Sequence, residues 1–249
     1  MKKILSIVIV FSVLLLGCNK EDVNGVSSGS ISNNRSVGAS AADLLSANKF
    51  TSINIEIVFM PGFAPDATAL NNLRTFINNF SNKPAGVQIT QRQIAASGKA
   101  KLTLADVNSI ENSNRTTFTS DNNISVYLLY ADADYIEDNV LAVAYKNTSM
   151  AIFGKTVVSN SGGINQTSRT RLESAGILHE MGHLFGLVNL GSPMQVNHED
   201  AAHAKHCNNT ACLMYFATQT NMIGGGIFSG AIPELDQNCK NDLRANGGK

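Results

Sequence analysis

The chain has 249 residues, and its 19 basic and 19 acidic side chains give a formal net charge of zero. No stripe of clustered Lys and Arg runs through the sequence, so we expect no nucleic-acid partner. For the same reason, any association with a membrane must depend on a lipid group and not on charge.

The first 17 residues have the pattern of a targeting segment, which is excluded from the fold. Two lysines precede an apolar run over 4–16, and that run is shorter than the roughly 20 residues that cross a bilayer. It ends in the string LLGC, residues 15–18, which resembles a bacterial lipobox. By this resemblance Cys18 becomes the lipidated first residue of the mature protein. An uncleaved anchor or an ordinary signal peptide is the alternative.

The residues after Cys18 bear on where such a lipoprotein is found. The string KED, residues 20–22, is similar to the export signal of surface-exposed lipoproteins in Bacteroidetes. We therefore expect a cell-envelope protein that is lipid-anchored to the outer membrane and exposed at the surface, with periplasmic-side anchoring as the alternative. Residues 18–48 are predicted to be the lipidated cysteine and a flexible tether, because Ser, Asn and Gly are frequent there and large apolar side chains are few.

The folded part is predicted to be one domain over residues 49–249, with an N-terminal subdomain to about 188 and a C-terminal subdomain from about 189. In chain order we first predict a strand over 52–60, a helix from about Asp66 and a strand over 87–94. A short helix follows a capping box formed by Thr103 and Asp106. The remaining predicted elements are a strand over 124–130, a strand or hairpin within 142–153 and a short strand over 156–159. Strand 124–130 is the most apolar and is predicted to be central.

The string HEMGH, residues 179–183, carries the clearest chemistry in the sequence. On a helix, His179 and His183 lie one turn apart on one face, so both imidazoles can bind a single zinc ion. Glu180 is then placed to take a proton from a water molecule on that zinc while the water attacks a carbonyl. A chance match on a solvated helix is the alternative.

The residues around this string predict an amphipathic helix. Four apolar side chains recur at helical spacing, on the side opposite the two histidines: Ile177, Met181, Leu184 and Val188. Burial of this stripe would turn the histidines towards a cleft. Thr167 or Ser168 can cap the start of the helix, and Gly186 is the residue type that ends a helix with a positive φ angle.

The string HEMGHLFGLVN, residues 179–189, resembles the zinc signature HExxHxxGxxH of the metzincin clan of metallopeptidases. The resemblance implies that a third ligand comes beneath the metal after the turn at Gly186. The sequence departs from the signature at that ligand, where it has Asn189. A neutral amide is a poor zinc ligand compared with imidazole, thiolate or carboxylate.

A second string supplies a replacement for that ligand. HCNNTACLM, residues 206–214, resembles the archaemetzincin subgroup, in which the third histidine is followed by Cys, Cys and Met at this spacing. An insertion over about 190–205 separates it from the helix and is expected to influence specificity. The resemblance makes His206 the third ligand. The alternative ligands are His198, His203 and Asn189.

The same resemblance assigns two residues at the end of this string. Met214 matches the methionine of the Met-turn, which lies beneath the metal without binding it, and simple core packing is the alternative. Tyr215 could offer its hydroxyl to the oxyanion of the tetrahedral intermediate, with a packed aromatic as the alternative.

The resemblance implies an α/β (α+β) fold of the metzincin-like zincin type, with a mixed twisted sheet, an active-site helix and a small C-terminal helical subdomain. Residues 143–153 are the candidate edge strand, which pairs with an extended peptide substrate or is shielded by solvent and loops. After a glycine-rich loop at 224–226, a helix is predicted over 233–245 with Pro233 in its first turn, and 247–249 are expected to fray.

Three cysteines remain once Cys18 is set aside, namely Cys207, Cys212 and Cys239. Archaemetzincins bind a second, structural zinc with four cysteines, but Asp236 stands where one of the four should be. We therefore expect one catalytic Zn²⁺ and no structural zinc. In an oxidising envelope a disulfide is the simpler outcome, with Cys207–Cys212 ranked ahead of a bridge to Cys239.

These features together predict a lipid-anchored, monomeric zinc peptidase that hydrolyses peptide bonds of peptide or protein substrates. A zinc-binding surface lipoprotein that binds a partner and has no catalytic activity is the alternative. Asn189 and the insertion favour that alternative, whereas Glu180 speaks against it, because a purely structural zinc site needs no general base.

Overall fold

A five-stranded sheet lies at the centre of the structure, a computed structural model that describes residues 32–164, 166–218 and 231–249. The strands are β1 (Ser52–Phe59), β2 (Gly86–Gln93), β3 (Lys101–Leu102), β4 (Asn123–Ala131), β5 (Asp134–Tyr135), β6 (Ala142–Lys146) and β7 (Ser149–Phe153). The main sheet has the order β2-β1-β4-β7-β6, and β3 pairs with β5 separately. All neighbours in the main sheet are parallel except β6 and β7, which form an antiparallel hairpin. The predicted mixed sheet with a central β4 is confirmed.

The described parts of the chain contain six helices beside this sheet: α1 (Ala41–Leu45), α2 (Ala67–Phe80), α3 (Leu104–Asn114), α4 (Gly154–Ser159), α5 (Arg169–Leu184) and α6 (Gln237–Ala245). Side chains cap the first turns of α2, α3, α5 and α6, and the capping box predicted at Thr103 and Asp106 is confirmed. Asp66 accepts the amide hydrogen of Ala69 at the start of α2, and Thr103 forms a capping box at the start of α3. A short 3-10 turn covers Phe216–Thr218.

No helix in the described parts of the chain has the length and apolar character that crossing a membrane requires. Residues 1–31 lie outside the described residues, and with them the predicted targeting segment, Cys18 and the start of the tether. The glycine-rich loop at 224–226 also lies outside them.

The apolar core has two parts, one on each face of the sheet. Alternate side chains of β1 and β4 point to opposite faces, so that Ile55 and Leu128 join the core under α2 and α5, whereas Val58 and Leu129 join the core on the α3 side. Helix α5 is buried on every face from Leu172 to Leu184. The expected one-sided amphipathic helix is therefore wrong, because α5 lies between the sheet, α2 and the C-terminal segment.

The boundary predicted at residue 49 is also wrong. Leu44 and Leu45 of α1 are fully buried in the main core, although they belong to the predicted tether. The ammonium group of Lys83 donates hydrogen bonds to the carbonyls of Asp43, within this helix, and Phe50, after it, which fixes the helix and the chain that follows it. Burial of two adjacent leucines in an otherwise polar stretch favours a segment that packs into the fold.

Residues 156–159, predicted as a strand, belong to helix α4. Its first residue, Gly154, packs so closely on Phe63 and the carbonyl of Ala131 that a Cβ atom would overlap both. The chain leaves β7 through this close contact, and Val157 is then buried while Val158 is exposed. Tertiary packing overrides the strand propensity of this Thr-Val-Val string.

The C-terminal end differs from expectation in two respects. Helix α6 begins at Gln237 and not near Pro233, because Asp236 caps it by accepting the amide hydrogen of Cys239. The last three residues do not fray. The amides of Gly248 and Lys249 donate to the carbonyls of Leu243 and Phe80, so the terminus is hydrogen-bonded to two helices.

Candidate active site and metal centre

Helix α5 carries the HEMGH string in its last turns. The helix starts after Ser168, whose hydroxyl accepts the amide hydrogen of Arg171. It ends at Leu184, and Gly186 has a φ angle of 78°. A Cβ atom at Gly186 would overlap the amide nitrogen of Ser192. This position therefore requires glycine, and the sharp turn there lets the following chain return beneath the helix.

Three histidines converge beside this turn. His179 and His183 come from α5, and His206 comes from the far end of the insertion. Their ring centroids are 4.7 Å, 5.3 Å and 5.2 Å apart, and each ring offers a nitrogen within 4.8 Å of the others. The structure thus brings together the three side chains that the sequence selects as ligands.

The environment of these rings suits a zinc ion. The ring Nδ1 of His179 lies 2.8 Å from the carbonyl oxygen of Leu213, which directs a proton to Nδ1 and leaves a lone pair on Nε2. Nε2 of His179 and Nδ1 of His183 are buried without a hydrogen-bond partner among the described residues. Burial and the neighbouring His206 lower the pKa of His179 to about 3. Neutral imidazoles with unpaired nitrogens are the form that binds zinc.

Glu180 lies between the histidines and the edge of the sheet. One carboxylate oxygen accepts the amide hydrogen of Ala144 on β6, and the other is buried without a partner among the described residues. Burial raises the pKa of Glu180 to about 8, although the Ala144 hydrogen bond works in the opposite direction. A carboxyl group with a pKa near neutrality can both accept and release a proton, as a general acid–base group must.

Met214 lies directly beneath the helix segment that carries the histidines. Its side chain is fully buried, and its sulfur lies so close to Gly182 that a Cβ atom there would overlap it. The turn around it is fixed by hydrogen bonds from the amide of Cys207 to the carbonyl of Met214 and from the amide of Tyr215 to the carbonyl of Cys212. This is the position predicted for the Met-turn methionine.

A cavity of about 200 Å³ opens next to the histidines and Glu180. It is lined by Val37, Ala144, Glu180, His183, Leu190, Lys205 and His206. Val37 belongs to the predicted tether, and no local pattern marks it as a site residue. Lys205 adds a positive charge to the cavity. Its position next to His206 in the sequence is a signal that could have identified it.

The other candidate ligands lie elsewhere. Asn189 is exposed in a left-handed turn with a φ angle of 64°. His203 is also at the surface, where its ring stacks on Phe216 and its Nδ1 lies 2.8 Å from a carboxylate oxygen of Asp200. Tyr215 packs edge-to-face against Phe216 and is absent from the cavity lining. The described contacts therefore favour the packed-aromatic interpretation of Tyr215.

The remaining candidate, His198, belongs to a second cluster. One ligand atom from each of His198, Cys207, Asp236 and Cys239 lies within 4.8 Å of the others. The sulfur of Cys212 lies 3.7 Å from that of Cys239 and accepts the amide hydrogens of Met214 and Asp236. Buried sulfur and imidazole donors at this spacing form a second group able to hold a soft or borderline metal ion.

The expected disulfide is absent among the three described cysteines, which are free thiols. They converge with His198 and Asp236 and do not pair off. Hydrogen bonds from the Cys207 and Cys239 thiols lower the pKa of Cys212 to about 4, so one sulfur of the group is readily a thiolate. Thiolates of this kind are metal ligands as well as disulfide precursors.

Comparison with known proteins adds one result at the level of the fold. An archaemetzincin from Methanopyrus kandleri superposes with a TM-score of 0.54 over 79% of this chain and 96% of its own, at 13% sequence identity. The fold is similar to that of an archaemetzincin. A chain titled as part of a chaperone–substrate complex has a TM-score of 0.37 and 15% identity, over 79% of this chain and 38% of its own. No protein-family model and no curated protein matches the sequence.

Proposed function

We propose that the chain is a zinc-dependent peptidase whose metal is held by His179, His183 and His206. The observation that carries this proposal is the convergence of three imidazoles, two of them buried with lowered pKa values, beside one buried carboxyl group with a raised pKa. The similarity of the fold to an archaemetzincin supports it independently of the motif. A zinc site built only for structure would have no use for Glu180.

The chain's own groups have separable roles in this reaction. Zinc, when bound, supplies Lewis-acid chemistry that activates water and polarises the scissile carbonyl. Glu180 takes the proton from the attacking water at its free carboxylate oxygen and passes it to the departing amine. Its second oxygen stays on the Ala144 amide, which holds the carboxyl group in place. The Leu213 carbonyl keeps His179 in one tautomer.

The edge of the sheet is the proposed docking place for the substrate. Strand β6 is at the end of the sheet order, and Ala144 lines the cavity beside Glu180. An extended peptide can add to such an edge through main-chain hydrogen bonds. Within the predicted edge strand over 143–153, β6 is suited to this role, whereas β7 lies inside the sheet between β4 and β6.

We also propose a second, structural zinc on His198, Cys207 and Cys239, with Asp236 or Cys212 completing the set. This replaces the expectation of a single zinc ion. The sequence argument considered only the four positions that align with cysteines, of which Asp236 is one, whereas His198 comes from the insertion. Nε2 of His198 lies 2.8 Å from a carboxylate oxygen of Asp242, which leaves Nδ1 to face the sulfur of Cys207.

Two further parts of the proposal concern the setting of the enzyme. Lipidation at Cys18 would anchor the protein in the cell envelope, at the outer membrane, as the lipobox-like string indicates. The substrate is a peptide or protein, and the enzyme acts as a monomer. A partner-binding zinc lipoprotein without activity is the competing hypothesis.

Replacement of Glu180 by Gln in the zinc-loaded chain separates these hypotheses. The amide keeps the shape of the carboxyl group and an oxygen for the Ala144 hydrogen bond, so we expect zinc content to be retained while peptide cleavage falls at least about 100-fold. Glu137→Gln, at an exposed position, is the control for a lost carboxylate. Parent protein that carries zinc but cleaves nothing in a broad peptide library would support the partner-binding alternative.

A further inference from the structure

The segment before helix α1 reaches into the candidate active site. Residues 32–40, here called the strap, place Val37 in the lining of the cavity beside Glu180 and His183. The cavity has a volume of about 200 Å³, below the roughly 300–1,000 Å³ of typical ligand sites. Its small size has a physical cause, because a separate part of the chain occupies space next to the general base.

The strap is held at both ends and in its middle by the turn between β6 and β7. Asn147 is fully buried there and makes four hydrogen bonds to the strap. Its backbone amide donates to the carbonyl of Arg35, and its side-chain oxygen accepts the Arg35 amide hydrogen at 3.1 Å. Its side-chain amide donates to the carbonyl of Ser32 and to the hydroxyl of Ser40, at 3.0 Å and 2.8 Å.

The other hold on the strap is a close backbone contact. Gly38 has a φ angle of 78°, and a Cβ atom there would overlap the carbonyl of Leu190, which also lines the cavity. Gly191 packs equally closely on the carbonyl of Gly38. The strap therefore runs between the β6–β7 turn and the chain that follows the zinc-binding helix. These are the two sides of the cavity.

This position conflicts with the binding of a long substrate. A peptide added to the edge of β6 would continue past Lys146 towards Asn147, whose backbone amide and side chain are already paired with Arg35. Val37 meanwhile occupies the space beside Ala144. A short peptide can end before this obstruction, whereas an extended polypeptide cannot pass it without displacing the strap.

We propose that the strap sets the size of the substrate: with the strap in place the site accepts short peptides, and its release admits extended polypeptides. This inference rests on the proposed peptidase function. The strap belongs to the predicted tether, residues 18–48, so tension or partner binding near the predicted anchor at Cys18 would act on the same segment. The strap thus acts as a gate with two states, seated beside the cavity and released from it.

A pair of glycine substitutions tests the proposal in the full chain. Gly38→Ala introduces the overlap with Leu190 and should release the strap. Gly98→Ala is the matched control, because Gly98 also has a positive φ angle, 69°, but has open space around its Cβ position. Arg35→Pro is a second releasing variant, since proline removes the amide hydrogen that Asn147 accepts. Hydrogen exchange at the amides of residues 41 and 147, which donate to the carbonyls of Gly38 and Arg35, reports release without reference to activity.

The decisive readout compares a short internally quenched peptide with reduced, carboxymethylated casein. We expect strap release to raise cleavage of casein relative to the short peptide about tenfold, and Gly98→Ala to behave like the parent. In the zinc-loaded Glu180→Gln protein, Gly38→Ala should tighten casein binding by a similar factor. The proposal is wrong if hydrogen exchange shows that the strap is released, but neither the ratio of casein to short-peptide cleavage nor the affinity for casein changes. Suppose that Gly38→Ala tightens casein binding in the Glu180→Gln protein, but proteins with Glu180 intact cleave neither substrate. The strap would then still control access to the site, and the proposed peptidase function would be excluded.

Discussion

Nε2 of His198 and a carboxylate oxygen of Asp242 lie 2.8 Å apart, and both side chains are completely or almost completely buried. Although burial lowers it, the hydrogen bond to Asp242 holds the pKa of His198 above its usual value. The contact joins the insertion to helix α6 and orients the imidazole towards Cys207. A carboxylate behind a metal-bound histidine has this arrangement in many zinc sites.

Replacement of Asp242 by Asn should therefore weaken the second zinc. Loss of such a carboxylate typically reduces metal affinity by about 10- to 100-fold, and we expect a shift of that size in competition with a chromogenic chelator. Asp200→Asn is the matched control, because Asp200 makes an equally short contact, 2.8 Å, with His203, which is exposed. Equal affinity in the two variants would contradict the proposed structural site.

His206 provides a test of the first zinc site. His206→Ala should reduce zinc affinity at the three-histidine site at least about 100-fold, because two imidazoles alone form a poor zinc site. The zinc held by the cysteine cluster should remain. His203→Ala removes a surface ring in the same insertion and should leave both zinc ions bound. Retention of two full equivalents of zinc by His206→Ala would exclude His206 as a ligand.

The sequence was sufficient to locate helix α5, which carries the HEMGH string, and the residues that begin and end it. The spacing of His179 and His183, the serine cap at Ser168 and the glycine at Gly186 are local features, and local features determine how a helix starts, ends and presents its side chains. The choice of His206 needed more than local information, because the insertion separates it from the helix. The resemblance of residues 206–214 to the archaemetzincin string supplied that information.

The strap and the second cluster could not be predicted in the same way. Val37 lies in a Ser- and Asn-rich stretch whose composition indicates disorder, and only long-range contacts with Asn147 and Leu190 place it in the cavity. The cluster of His198 and Asp236 joins an insertion to a helix cap. Composition and periodicity depend on residues close together in the sequence, whereas these contacts join segments that are far apart in it. Local patterns therefore cannot predict them.

A buried ion network under the β6–β7 hairpin gives a prediction about pH. Glu111 is fully buried and accepts hydrogen bonds from Arg115 and Lys146. Although burial raises it, the hydrogen bonds from Lys146 and Arg115 hold the pKa of Glu111 below its usual value. At pH values between the pKa of Glu111 in the folded chain and its higher pKa in the unfolded chain, the unfolded chain binds more protons. The contribution of Glu111 to the free energy of unfolding is therefore present above about pH 4.5 and is lost as the pH falls.

Glu111→Gln should reproduce that loss at neutral pH. It leaves two buried cations without their counterion, which typically costs about 3–5 kcal/mol of unfolding free energy. Asp138→Asn, which breaks an exposed pair with Lys101, should cost less than about 1 kcal/mol. Urea unfolding at pH 7 and pH 4 measures both. If Glu111→Gln were as stable as Asp138→Asn at pH 7, the network would not stabilise the hairpin.

Two glycines of helix α5 provide the last prediction, since they differ only in what surrounds them. A Cβ atom at Gly176 would make ordinary contacts of 3.7–3.9 Å with Ala142, Ile152 and Leu141. Gly176→Ala should raise the unfolding free energy by about 0.5–1 kcal/mol, because alanine restricts the unfolded chain and favours the helix.

Gly182→Ala should have the opposite effect, because its Cβ atom would overlap the buried sulfur of Met214. Overpacking of this kind typically costs about 1–3 kcal/mol, which exceeds the gain in helix propensity. Met214 lies beneath the histidines, so the same change should also weaken zinc binding at the three-histidine site, whereas Gly176→Ala should not. Thermal unfolding and chelator competition on both variants provide the measurements. If Gly182→Ala instead stabilised the protein and left its zinc affinity unchanged, Met214 would be an ordinary core residue without influence on the metal centre.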